Sequence, residues 1–146
     1  MSDTRAGDLE SITAAAARFR HALETTVGLV STGLLAFPRG ACGDAAVLVG
    51  QYLEDCAYGT WTYMSGDNGR GSHGWAERNG VIVDIAADQF GDELPPVIVT
   101  CDRSWHARFQ RIAGSGHPAN LAGWEGPAMS ALRRDSQLLK AAADQT

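Results

Sequence analysis

The sequence predicts an α+β domain, with two N-terminal helices, an antiparallel sheet and a C-terminal helix. Three observations carry this reading. Early in the chain apolar residues recur at helical spacing: Leu9, Ile12, Ala15, Ala16, Phe19, Leu23 and Val27 form one stripe, and Ala45, Ala46, Leu48, Val49, Tyr52, Leu53 and Cys56 form another. After Gly59 the pattern changes to runs rich in β-branched and aromatic residues, and Asn79-Gly80 is the preferred pair for a two-residue type I′ hairpin. Pro127 then stands where a last helix would begin, a position that tolerates a missing N–H. The 146 residues, 45% hydrophobic and 20% charged, suffice for one domain over 1–146, with no repeat or low-complexity linker.

In chain order, the first helix is expected from about Asp8 to Val30, with Ala14–Ala17 as strong helix-forming sequence. Gly33 and Phe37-Pro38 end its apolar run, and a second helix is expected from about Gly43 to Ala57. Thr60–Met64 reads as a strand and Ser65–Gly71 as a polar, glycine-rich loop. Pro95–Thr100 reads as another strand, with proline at its start. Ser104–Ile112 fits either a strand or a short helix. Gly114–Gly126 carries repeated breakers and reads as a loop, and the last helix runs from Pro127 to about Ala143.

The net charge of -5 and the lack of a basic run argue against a nucleic-acid partner. The apolar stretch Val27–Phe37 is broken by Gly28, Ser31, Thr32 and Gly33, too short for a membrane span, and the N-terminus lacks the form of a signal peptide. The expected location is therefore cytoplasmic, with export by a route that leaves no such mark as the alternative. Three cysteines, Cys42, Cys56 and Cys101, do not make a disulfide framework. On one helix Cys42 and Cys56 would lie roughly 21 Å apart, far beyond disulfide reach. With no CxxC and no closely spaced histidine pair, no metal and no cofactor is expected. A mononuclear site of Cys42, His73 and Asp84 is the weakest alternative.

The chemistry centres on Phe37–Cys56. Pro38 and Gly40 make the approach irregular, and Cys42 falls where the second helix opens. Unpaired backbone N–H groups there favour an anion, so a thiol loses its proton more readily, and the thiolate is the nucleophile. The plain alternative is a small buried cysteine.

The hairpin decides what faces what. A turn at Asn79-Gly80 sets Arg78 opposite Val81, Trp75 opposite Asp84 and His73 opposite Ala86. His73, Trp75 and Glu77 then share a face with Ile82, Asp84 and Ala86. His73 and Asp84 become diagonal neighbours, roughly 7–8 Å apart at the backbone, close enough for a carboxylate to orient an imidazole. Asp88 is the substitute if a bulge shifts the register. Trp75 is expected in the core or as the wall of a cleft. His21, His106 and His117 read as ordinary loop or surface residues, and Cys56 and Cys101 as core.

A helix-opening cysteine, a strand histidine and a strand aspartate, in that order, resemble the papain-like and transglutaminase-like cysteine enzymes. The matching residues are Gly40-Ala41-Cys42, His73-Gly74-Trp75-Ala76-Glu77 and Val83-Asp84. Arg39-Gly40-Ala41-Cys42 and Val83-Asp84-Ile85 are also similar to segments of arylamine N-acetyltransferases. The resemblance covers about Phe37 to Phe90 and implies a papain-like or transglutaminase-core fold. It implies Cys42 as nucleophile, His73 as general base and acid, and Asp84 as orienter. The chain departs from the pattern in having no Gln shortly before Cys42 and in having Gly43, not Trp, after it. The second oxyanion donor is therefore unassigned, with Arg39 as candidate and Trp75 as the other substrate-side residue.

The activity this resemblance implies is cysteine-dependent acyl transfer on an amide, with a peptide, protein or small amide as substrate. Peptidase, amidase, glutamine deamidase and transglutaminase remain open. The alternative is an inactive member of the fold that binds a protein or peptide.

Overall fold

The Asn79-Gly80 turn fixes the centre of the sheet. A computed structural model describes residues 6–26, 42–91, 93–111, 115–123 and 129–145. Asn79 and Gly80 have φ of 51° and 81°, the two positive values a type I′ turn requires. They join β2 (Ser72–Arg78) to β3 (Val81–Asp84), paired Arg78 to Val81, Glu77 to Ile82 and Ala76 to Val83. With β1 (Thr62–Asp67), β4 (Ile98–Thr100) and β5 (Gln110–Arg111) they form an antiparallel sheet in the order β4-β3-β2-β1-β5. The described helices are α1 (Ala6–Thr25), α2 (Cys42–Asp55) and α3 (Met129–Asp144), so the chain is α+β.

The strand period of two divides the apolar residues between two faces. On one, Ala76, Val81 and Val83 enter the main core with Phe19 and Leu23 of α1, Leu48, Val49 and Leu53 of α2, and Leu139 of α3. Tyr52 ties the helices together: its ring lies 5.1 Å from that of Phe19, and its hydroxyl donates to Asp144 Oδ1 at 2.9 Å. On the other face Trp75, Ile82 and Phe109 form a smaller cluster, with Met64, Phe90 and Trp105 against it. Arg20 reaches across from α1. It donates to the Ile85 carbonyl at 2.8 Å, the Pro96 carbonyl at 3.2 Å and both Asp88 oxygens at 2.9 Å. That clamp fixes the 3-10 turn Ala87–Phe90, which carries part of the site.

Several elements differ from expectation. The first strand starts two residues late and absorbs Ser65, Gly66 and Asp67, which pair with Gly74, His73 and Ser72. Gly66 belongs in the strand because β5 passes so close that a Cβ would stand 2.7 Å from the Gln110 carbonyl oxygen. Trp61 precedes the strand and plugs the core at 1% exposure. The strand expected from Pro95 is only Ile98–Thr100, since two prolines withhold the N–H groups of a ladder. Ser104–Ile112 is both of its alternatives in turn, a 3-10 turn at His106–Arg108 followed by β5. Leu121–Gly123 forms a further 3-10 turn inside the expected loop. Cys56 is half-buried and packs against the main core, as expected, whereas Cys101 is exposed, contrary to the core expectation, just past the end of edge strand β4. The expected end of the first helix at Val30, Arg39 and Pro127 fall outside the described residues. No described helix is long and apolar enough to cross a membrane.

Candidate functional site

The hairpin register delivers the pairing it implies. His73 Nε2 lies 2.6 Å from Asp84 Oδ2, and both side chains have 0% exposure. Asp84 Oδ1 accepts the Ala86 N–H at 3.0 Å. A second imidazole arrives from outside the hairpin: His106 Nε2 is also 2.6 Å from Asp84 Oδ2. Expected at the surface, His106 is 2% exposed. It is held there because its 3-10 turn follows Trp105, and its ring lies edge-on to Trp75 and Trp105 at 4.7 Å and 4.8 Å.

Burial alone would push the Asp84 carboxyl up. The hydrogen bonds from His106 and His73, and their charges, outweigh it and hold the group down at about 2. An ionised carboxylate only accepts, so both rings must carry a proton on Nε2. The Gln89 amide then resolves the other side of His73. Gln89 Nε2 donates to the Ala86 carbonyl at 3.0 Å, which fixes the amide's orientation because a carbonyl only accepts. The same nitrogen lies 3.2 Å from His73 Nδ1, so in the neutral ring Nδ1 is a lone pair receiving a hydrogen bond. Nothing local in the sequence points to Gln89.

Around these polar atoms stands an aromatic shell. Phe90, Phe109, Trp75 and Trp105 place their rings 5.1, 5.5, 5.7 and 5.7 Å from that of His73. Trp75 is 4% exposed and its Nε1 donates to Glu77, so it is a wall and presents little surface to a substrate. Phe90, Trp105 and Phe109 also line a cleft of about 380 Å³ together with Asn68, Arg70 and Arg108. Asp88, the fallback for Asp84, is taken by Arg20.

The described donor atoms of His73, Asp84 and His106 all lie within 4.8 Å of one another. Their two N···O separations of 2.6 Å are hydrogen-bond lengths. Two ligands of one tetrahedral ion at about 2.05 Å would stand roughly 3.3 Å apart. The geometry is that of a carboxylate shared by two N–H donors.

Cys42 is the first residue of α2, as the sequence implies, while its side chain lies outside the described atoms. The start of α2 meets β2 at Gly74, on the sheet face opposite the His73 side chain. A Cβ on Gly43 would stand 3.4 Å from the Tyr63 hydroxyl, and a Cβ on Gly74 would stand 2.9 Å from that same oxygen. Tyr63 thus spans from the helix opening to the neighbour of His73, and Gly74 makes room for its ring. No known family profile, curated protein or solved structure matches the chain.

Proposed function

We propose that the protein is a thiol enzyme of papain-like or transglutaminase-like type, acting on amide bonds through Cys42, His73 and Asp84. The observation that carries the reading is the buried His73–Asp84 pair at 2.6 Å, one strand residue from Gly74, where the opening of the helix that begins with Cys42 meets β2. Asp84 holds Nε2–H of His73, so the ring's other nitrogen, Nδ1, is the one that exchanges protons with the thiol. The thiol proton passes to Nδ1, and Sγ bonds to the carbonyl carbon. The tetrahedral oxyanion is met by backbone N–H at the helix start, with Arg39 as the candidate for further help. As the C–N bond breaks, Nδ1–H protonates the leaving amine and a thioester remains. Water or a second amine then gives its proton to Nδ1 and attacks, releasing an acid or a new amide and restoring the thiol. Gln89 must swing from Nδ1 when that nitrogen is protonated, since two N–H groups cannot face each other.

The 0% exposure of the His73 and Asp84 side chains favours a second reading, a catalytically inactive domain that binds a protein or peptide. Alkylation of Cys42 by iodoacetamide, read by mass spectrometry, separates the two. The enzyme reading expects fast reaction at about pH 6 that is lost in His73→Ala. A thiol reacting only above about pH 8, alike in both proteins, would leave the binding module.

A further inference from the structure

We infer that His106 is a positioning residue of this site: a second imidazole that shares Asp84 with His73 and directs the mobile proton to His73. The role in directing catalysis rests on the thiol reading above; the sharing of Asp84 does not.

The argument begins with the two rings' unequal surroundings. Both donate Nε2–H to the same oxygen at 2.6 Å, so Asp84 by itself does not choose between them. Their second nitrogens differ. His106 Nδ1 is buried and has no hydrogen-bond partner among the described residues. A second proton there would create a charged, buried N–H with no acceptor, among the costliest of polar defects. His73 Nδ1 faces the amide of Gln89, a half-buried side chain able to rotate away. The geometry therefore favours a mobile proton at His73 Nδ1 over one at His106 Nδ1, while the Nε2–H of His106 absorbs part of the carboxylate's charge.

Of the other charged groups nearby, Arg70 and Arg108 line the cleft beside Phe90, Trp105 and Phe109, and the carboxylates are committed elsewhere. On the same strand face Glu77 accepts from Arg103 at 2.7 Å, and beyond the Ala87–Phe90 turn Asp88 is paired with Arg20 at 2.9 Å. Among the described side chains, Asp84 is the titratable group in contact with both rings, and Cys42 begins the neighbouring helix. The aromatic contacts from Trp75 and Trp105 hold the His106 ring in register with Oδ2, so its N–H is aimed in advance.

The consequence concerns His73. Without His106 the Asp84 carboxylate loses a donor, its charge concentrates on His73, and the His73 imidazolium persists to higher pH. In His106→Phe, which keeps the aromatic packing, the His73 titration midpoint should rise by about half a pH unit or more. In His106→Gln, whose Nε2 takes the place of the lost ring donor, it should return towards wild type. The readout is ring-labelled histidine NMR on the full chain, with the pH profile of Cys42 alkylation alongside. A merely structural role would lower stability in both variants and leave the His73 midpoint in place, and that result overturns the inference.

Should His106→Phe not fold, the wild-type spectrum still decides: a shared acceptor requires both rings to be Nε2–H tautomers near neutral pH, and His106 protonated on Nδ1 instead refutes it. If Cys42 proves to be an ordinary thiol while the His73 midpoint moves as stated, the thiol reading fails and the sharing of Asp84 stands.

Discussion

Replacing Asp84 with Asn keeps the shape of the site and removes its charge. The carboxylate accepts three N–H groups, from His73 and His106 at 2.6 Å and from Ala86 at 3.0 Å. An amide presents oxygen on only one side. If its oxygen meets the two rings, its NH2 abuts the Ala86 N–H; if it flips, the NH2 faces two Nε2–H groups. Hydrogen bonds to a charged acceptor contribute roughly 1.5–3 kcal/mol each, and here one is lost outright and two become neutral. The expected loss is about 3–4 kcal/mol, against a total of about 5–15 kcal/mol for a domain of this kind.

The pH dependence provides an internal control. The Asp84 carboxyl is lowered from 3.8 to about 2 on folding, a depressed value, so its contribution is fully present above about pH 4 and is lost as pH falls through about 2. That part amounts to roughly 2 kcal/mol, about half of it gone by pH 3. Urea unfolding of wild type and Asp84→Asn between pH 3 and 7 should show a gap that is widest near neutrality and narrows in acid. A gap below about 1 kcal/mol at pH 6, or one that does not change with pH, would refute the shared-carboxylate geometry.

Two other substitutions test the frame. Arg20→Met strips the clamp between α1 and the Ala87–Phe90 turn, leaving the Ile85 and Pro96 carbonyls without their donor; urea unfolding should report a loss of about 3 kcal/mol. The solvent-facing part of its pairing with Glu24, 48% exposed, is expected to add little. Gly50→Ala sets helix propensity against packing. Alanine would gain about 1 kcal/mol inside α2, but its Cβ would stand 2.0 Å from the Ala119 carbonyl oxygen, so the backbone must move and thermal unfolding should show a net loss of about 2 kcal/mol.

How much of this was legible in the sequence depends on distance along the chain. The His73–Asp84 pair was readable because Asn79-Gly80 dictates the turn, and a two-residue turn dictates which side chains share a face. The helical stripes of α1 and α2 were readable for the same local reason, and Ile12, Phe19, Leu48 and Leu53 are buried as their spacing requires. His106 was not. It lies 22 residues beyond Asp84, in a segment whose pattern fits strand and helix equally, and no local period fixes where such a segment docks. The one available signal was Trp105 and Phe109 flanking it at four-residue spacing among polar neighbours, an apolar edge that had to be buried somewhere. Gln89 was hidden likewise, because only the clamp from Arg20, far earlier in the chain, sets its turn over the histidine. The extension of β1 into a glycine-rich run was illegible because Gly66 is selected by the close approach of β5, a long-range contact.

Buried together, His73, Asp84 and His106 are an expensive way to fill a hydrophobic shell. Desolvating a carboxylate and two imidazoles costs several kcal/mol, and their mutual hydrogen bonds return about that much, so the cluster contributes little net stability. Well-packed apolar residues in the same volume would serve the fold at least as well. A simultaneous His73→Leu, Asp84→Leu, His106→Phe variant should therefore unfold within about 2 kcal/mol of wild type, although Asp84→Asn alone is costly, because the triple change removes both imidazole donors together with their acceptor and orphans only the Ala86 N–H. Cys42 in that variant should react as an ordinary thiol, slow at pH 6. If the triple variant instead loses as much stability as the single changes summed, the three residues are scaffold, and the case for chemistry at this site loses its thermodynamic support. Stability that survives while thiol reactivity disappears is the signature of residues kept for proton transfer.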